Sequence, residues 1–148
     1  MKKIGCFRKE GENFIGTITT LQLNVRARIT AVENKISPSA ADYIVTHVTG
    51  GSFAPELGAA WKRHSKDHGA PYIMVEIDDP SCAEPIAAVL WKGKDDYYYL
   101  YWDRNSSGDH IAERLLVQEE LKPQLGIMGL PERVTAYVAQ IVPELGLA

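Results

Sequence analysis

The chain has 148 residues, 45% of them hydrophobic, enough to bury a core without disulfides or a structural metal. Its formal net charge is −3. Lysines and arginines balance the carboxylates through Arg104, so the acidic excess lies in the tail and no global basic field exists for nucleic acid or an anionic membrane.

No apolar run approaches the ~18 residues of a membrane span, and the opening Met-Lys-Lys-Ile-Gly-Cys-Phe lacks a signal-peptide core. A cytoplasmic protein is expected, with Cys6 and Cys82 reduced and sharing no metal-ligand spacing. In chain order, Lys3 to Phe7 and Phe14 to Thr20 read as strands flanking the polar Lys9-Glu10-Gly11-Glu12-Asn13, which suits a hairpin loop. From Leu21 to Ala31 apolar residues alternate strictly with polar ones, which predicts one long half-buried strand. Asn34 to Ala41 is rich in turn formers, and Asp42 to Val48 is another strand.

After Gly50-Gly51, Leu57 to Ser65 and Tyr72 to Asp78 form a hairpin. Ile73, Val75 and Ile77 are expected inward, with Met74, Glu76 and Asp78 outward. Ile86 to Lys92 and Tyr97 to Arg104 make the last pair, joined through Gly93-Lys94-Asp95-Asp96. Past Asn105-Ser106-Ser107-Gly108 the period changes. Ser106 and Asp109 suggest a helix cap, and Ile111, Leu115, Leu116 and Leu121 are spaced for a helix. A short strand over Arg114–Gln118 is the alternative. Pro131 opens a second helix, with Val134, Tyr137, Val138, Ile141 and Val142 on one face. The expectation is an α+β protein: residues 1–104 a mainly antiparallel β barrel or sandwich of about seven or eight strands, and residues 105–148 a C-terminal helical hairpin. That hairpin packs on the β domain, on a partner, or across a homodimer through Val134, Tyr137, Val138 and Ile141.

The chemistry-bearing residues give no catalytic set. Asp78-Asp79-Pro80-Ser81 is turn chemistry ahead of a metal pair, because adjacent strand residues face opposite ways. His64 and His68 have a spacing that converges only on a helix, and here they bracket a hairpin loop. Neither cysteine has an evident base beside it, and the glycine pairs lack a strand-to-helix context. No enzyme, metal or cofactor is expected. The aromatics are more pointed. If Leu100 and Trp102 face the core, Tyr97, Tyr99 and Tyr101 line the outer face. With Arg26, Arg28 and Trp61 they are candidates for stacking nucleic-acid bases or docking a partner. Cover by the tail helices or cross-strand packing is the bland alternative.

One set of blocks resembles a known family. Gly5 and Phe7, Phe14-Ile15-Gly16, Asp42-Tyr43, Glu56-Leu57-Gly58-Ala59-Ala60-Trp61-Lys62, Ile77-Asp78-Asp79-Pro80-Ser81, and Leu100 with Trp102 and Arg104 are similar to domain-of-unknown-function family 736. The resemblance runs from about Ile4 to Arg104. Cys82 stands where an aromatic is usual and Ile44 where a basic residue is frequent. The resemblance implies a bacterial conjugative plasmid or integrated mobile element, with no site residues to carry over. The expected function is a non-catalytic module binding a protein partner, in transfer regulation or inhibition of a host defence complex of the anti-restriction or anti-CRISPR type. The alternative is a barrel that binds single-stranded nucleic acid in plasmid transfer or replication.

Overall fold

A computed structural model of the protein describes residues 1–121. Eight strands follow in chain order: β1 (Lys2–Glu10), β2 (Asn13–Thr19), β3 (Asn24–Ala31), β4 (Tyr43–His47), β5 (Glu56–His64), β6 (Pro71–Ile77), β7 (Ile86–Lys92) and β8 (Tyr98–Trp102). Each pairs antiparallel with the next, and β8 returns to β1 to close a barrel. The choice between barrel and sandwich is thereby decided. Closure leaves no sheet edge at the two ends of the meander, where a sandwich would have exposed unpaired backbone.

Alternation fills the interior. Phe7, Phe14, Ile18, Ala27, Ile29, Val45, Ala60, Val75, Ile77, Leu90 and Leu100 are buried in one cluster contributed by every strand. Ile73, Tyr98 and Trp102 pack against it, so the inward faces of β6 and β8 are those expected from their alternation. Two buried residues interrupt the pairing, each followed by a glycine. Lys3 pairs with Tyr101 and Gly5 with Leu100, leaving Ile4 as a bulge. Gly58 pairs with Val45 and Glu56 with Thr46, leaving Leu57. Bulges of this kind add the twist that a small barrel needs. At Gly58 the neighbouring backbone comes so close that an added Cβ would lie 1.9 Å from the Glu76 carbonyl oxygen.

The long strand expected from Leu21 is shorter. Thr20 Oγ1 accepts hydrogen bonds from the Gln22 and Leu23 amides at 3.2 and 3.0 Å, and the Thr20 amide donates to the Leu23 carbonyl at 2.7 Å. These bonds make a turn, and Leu21 stands fully exposed. The Asp78–Ser81 segment is a turn as expected: Asp79 Oδ2 accepts from the Ser81 amide at 3.0 Å and its hydroxyl at 2.6 Å.

Helix α1 (Gly108–Leu121) follows β8, which overturns the alternative of a short strand at 114–118. Its cap lies one residue later than expected. Ser107 Oγ accepts from the His110 amide at 3.1 Å, while Ser106 donates to Asp103 Oδ2 at 3.2 Å. Asp109 instead accepts from the Lys66 amide at 3.0 Å, tying the helix to the β5–β6 hairpin. Replacing Ser107 with alanine is expected to cost about 1 kcal/mol, read as a small fall in thermal midpoint. An unchanged midpoint would show that another group satisfies those amides.

The helix lies on the outside of the barrel. Ile111, Ala112 and Leu115 bury Tyr72 and Val89, with Met74, Trp91 and Tyr101 packed against them. Met74 does face outward, as expected, but it meets the helix and not water. The described residues hold one helix, α1; the expected second helix of the hairpin, with Val134, Tyr137, Val138 and Ile141, lies outside them.

Candidate functional site

Register decides which candidate residues meet. Tyr99 on β8 pairs with Cys6 on β1, Cys6 with Thr17 on β2, and Thr17 with Arg26 on β3. One step along, Arg8 pairs with Ile15 and Ile15 with Arg28, while Tyr97 precedes Tyr98, the partner of Phe7. All point outward, because their neighbours Phe7, Phe14, Ile18, Ala27 and Leu100 fill the core. Strand spacing of about 4.8 Å puts Tyr99 and Arg26 roughly 14 Å apart across the face.

Arg8, Thr17, Arg26 and Arg28 are exposed, and Tyr97 is 47% exposed. Arg26 and Tyr97 line one shallow depression of about 240 Å³ together with Cys6, Arg8 and Thr17. The outward positions of these four strands hold Lys3, Arg8, Arg26 and Arg28 against Glu10, with Asp95 of the β7–β8 loop beside Tyr99 and Lys3. Glu10 is engaged by Arg8 at 2.8 Å. The neutral body therefore carries a local basic face that net charge conceals.

The tyrosine row is not uniform. Tyr97 is open. Tyr99 is half-buried, with Lys3 Nζ 4.3 Å from its ring centroid, and its hydroxyl donates to the Asp95 carboxylate. That hydrogen bond to Asp95, with a smaller contribution from burial, pushes the Tyr99 phenol up to about 12. Replacing Asp95 with asparagine should bring Tyr99 ionisation back toward ~10, followed as tyrosinate absorbance in an alkaline titration. A curve identical to the parent's would refute the contact. A folded-state value above the unfolded one means that the contribution of this bond to stability is complete below ~10 and lost as pH rises through about 12. Tyr101 packs under α1, so the cover expected for all three tyrosines falls on this one. Trp61 is not part of the face. It lies on β5 across the barrel, paired with Met74, and its indole N–H donates to the Ser39 carbonyl at 3.3 Å. Val134, Tyr137, Val138 and Ile141 lie outside the described residues.

A second surface feature was not foreseen in the sequence. β6 and β7 pair from Ile77↔Ile86 to Ile73↔Leu90 and stop there. The β5–β6 ladder continues to His64↔Pro71, and the β7–β8 ladder to Lys92↔Tyr98. The two hairpins thus part at their tips, with Pro71, which has no amide hydrogen to donate, at the start of β6. The notch opens into a cleft of about 1050 Å³ that reaches from the barrel mouth at Tyr43 and Tyr98 to Leu116 and Glu119 of α1.

Among the described residues, no group of three or more His, Cys, Asp or Glu side chains could hold a metal ion. His68 meets Glu113 at 2.6 Å, bridging the β5–β6 loop to the helix, and Cys6 and Cys82 are free thiols. No helix among the described residues is long and apolar enough to cross a membrane.

A family model described as a protein of unknown function, DUF736, matches residues 3–105. The matched span covers the eight strands and ends before α1. No curated protein and no solved structure matches the chain significantly.

Proposed function

The chain belongs to the DUF736 family of proteins of unknown function, and for this member we propose non-catalytic binding of single-stranded nucleic acid on the outer face of β8, β1, β2 and β3. One observation carries the reading: Arg26 and the exposed Tyr97 line a common depression on a face with four cations. Bases stack on tyrosine irrespective of sequence, and arginines neutralise the phosphates between them. A neutral body with a local basic strip favours a strand that follows the strip over a duplex that needs a broad field.

The test is anisotropy of a fluorescent single-stranded oligonucleotide at low and physiological salt. Binding that weakens as salt rises, with a slope near −0.7 per phosphate contact, is expected. No binding at low salt would sink the reading.

A protein partner is the second reading. Leu21 and Phe53 stand exposed on the β2–β3 and β4–β5 loops, which share one end of the barrel. Exposed apolar side chains at one end suit a docking contact. That partner would be a conjugation component or a host defence complex, in the cytoplasm of a cell carrying a mobile element. A homodimer through Val134, Tyr137, Val138 and Ile141 belongs to the same reading. Leu21→Ser with Phe53→Ser should then abolish co-purification of whatever the parent protein captures, and retained capture would reject this end as the contact.

A further inference from the structure

We propose that the notch between the β5–β6 and β7–β8 hairpins is a second binding site, for a nucleotide: a flat ring bearing phosphate groups. The notch is separate from the nucleic-acid face and has a distinct shape. Where Tyr72 and Pro71 would continue the ladder with Trp91 and Lys92, the strands separate, although each stays paired on its other side. Ile73 and the buried Leu90 line the gap where the ladder ends. Concave, largely apolar sites with a few convergent polar groups are those that take small ligands, and barrel mouths are a common place for them.

Positive charge gathers at the same place. Lys62, Arg63, Lys92 and Lys94 converge on this cleft from two strands and a loop, and all four are exposed. Lys62 and Lys92 occupy inward register positions, opposite Ile73 and Tyr98, so both rise from the barrel mouth itself. Among the described residues, Lys62, Arg63 and Lys94 make no ion pair, and Lys92 makes a loose one with Asp96 at 3.8 Å. The carboxylates nearby are few. Asp42 pairs with Lys35 at 2.8 Å and also accepts the Lys62 amide at 2.9 Å, close enough to feel the Lys62 charge, and Glu113 meets His68 at 2.6 Å. Asp95 and Glu119 are hydrogen-bonded to the Tyr99 hydroxyl and the Trp91 indole N–H and keep their charge. Snorkelling explains one lysine over an apolar wall. It does not explain four cations gathered in a cleft whose lining residues include a single carboxylate, Glu119. Such a group focuses a positive field into a low-dielectric cleft and suits several phosphate oxygens better than one carboxylate.

Aromatic side chains line the same cleft. Trp91 and Tyr98 are half-buried and both border the cleft, Trp91 packed against the cluster under α1 and Tyr98 edge-on to Phe14 with ring centroids 4.8 Å apart. A ring stacked there leaves its phosphates within reach of the lysines.

The test is titration of the full-length protein with ATP, and separately with inorganic tripolyphosphate, followed by calorimetry and tryptophan fluorescence. Saturable ATP binding with quenching is expected, with tripolyphosphate at least tenfold weaker. The Lys62→Glu, Lys92→Glu double variant should lose ATP affinity at least tenfold. Lys94→Glu, in an exposed turn, should weaken it severalfold and serves if the double variant does not fold. Arg26→Glu with Arg28→Glu should leave ATP binding intact while removing oligonucleotide binding, which separates this site from the outer face. Absence of ATP binding at millimolar concentration overturns the proposal. So does tripolyphosphate binding as tightly as ATP, or an undiminished affinity in the Lys94 variant.

Discussion

Charge reversal at Arg26 and Arg28 should abolish single-strand binding at physiological salt and leave the fold intact. Both guanidiniums are exposed on β3, and substitutions at such positions usually change stability by less than about 0.5 kcal/mol. Removing two phosphate contacts should flatten the salt slope by about 1.4, and the two new carboxylates add repulsion to that loss. Tyr97→Ala removes a stacking platform and should cost about 1–3 kcal/mol of binding with little change in salt slope. Tyr101→Ala behaves oppositely: it lies under α1 and should lower the melting temperature without a direct effect on binding. Anisotropy titrations at several salt concentrations, paired with thermal melts, separate the three results. Full binding by the arginine variant would move the site off this face.

The second large effect is on the barrel itself. Gly58→Ala is expected to destabilise it by about 3 kcal/mol, because the new methyl group would overlap backbone and not a side chain that can rotate away. The Glu76 carbonyl oxygen would lie 1.9 Å from the added carbon, and the Gly58↔Ile77 pairing fixes both strands. Gly50→Ala is the control, since nothing lies within 4 Å of its added carbon and its loop is open. Urea unfolding of the two variants should show a large fall in midpoint for the first and almost none for the second. Equal midpoints would mean that the bulge at Leu57 can relax.

Much of this body could be read from residue order. Apolar runs between turn signals located all eight strands, alternation assigned the inward face of β6, and the face of Leu100 and Trp102 posed as the core side of β8 is the one that is buried. Alternation is blind to side-chain hydrogen bonds, so it ran the third strand back through Leu21, where the Thr20 hydroxyl makes a turn. It also separates inward from outward but not water from protein, which is why Met74 and Tyr101 face outward yet pack against α1. The site was legible in part. Arg26, Arg28, Tyr97 and Tyr99 could be named, but the sequence did not say that Lys3 and Arg8 share their face or that Trp61 does not. Those facts reside in register and closure. The cations of the notch are further from view, since their convergence depends on where the β6–β7 ladder stops.

The closed pairing order also bears on how the protein acquires its shape. Seven of the strand pairs join neighbours along the chain, and the β1–β8 pair alone joins its two ends. The hairpins can form from local encounters, whereas the seam must bring Lys3 to Tyr101 and Phe7 to Tyr98 across nearly the whole described chain. Loop-closure entropy rises with that separation, and contacts so distant in sequence slow folding. The core nevertheless draws Ile4 and Phe7 from one side of the seam and Leu100 from the other. Until the ends meet, those side chains lack part of their burial, so the seam makes eight local elements into one cooperative unit.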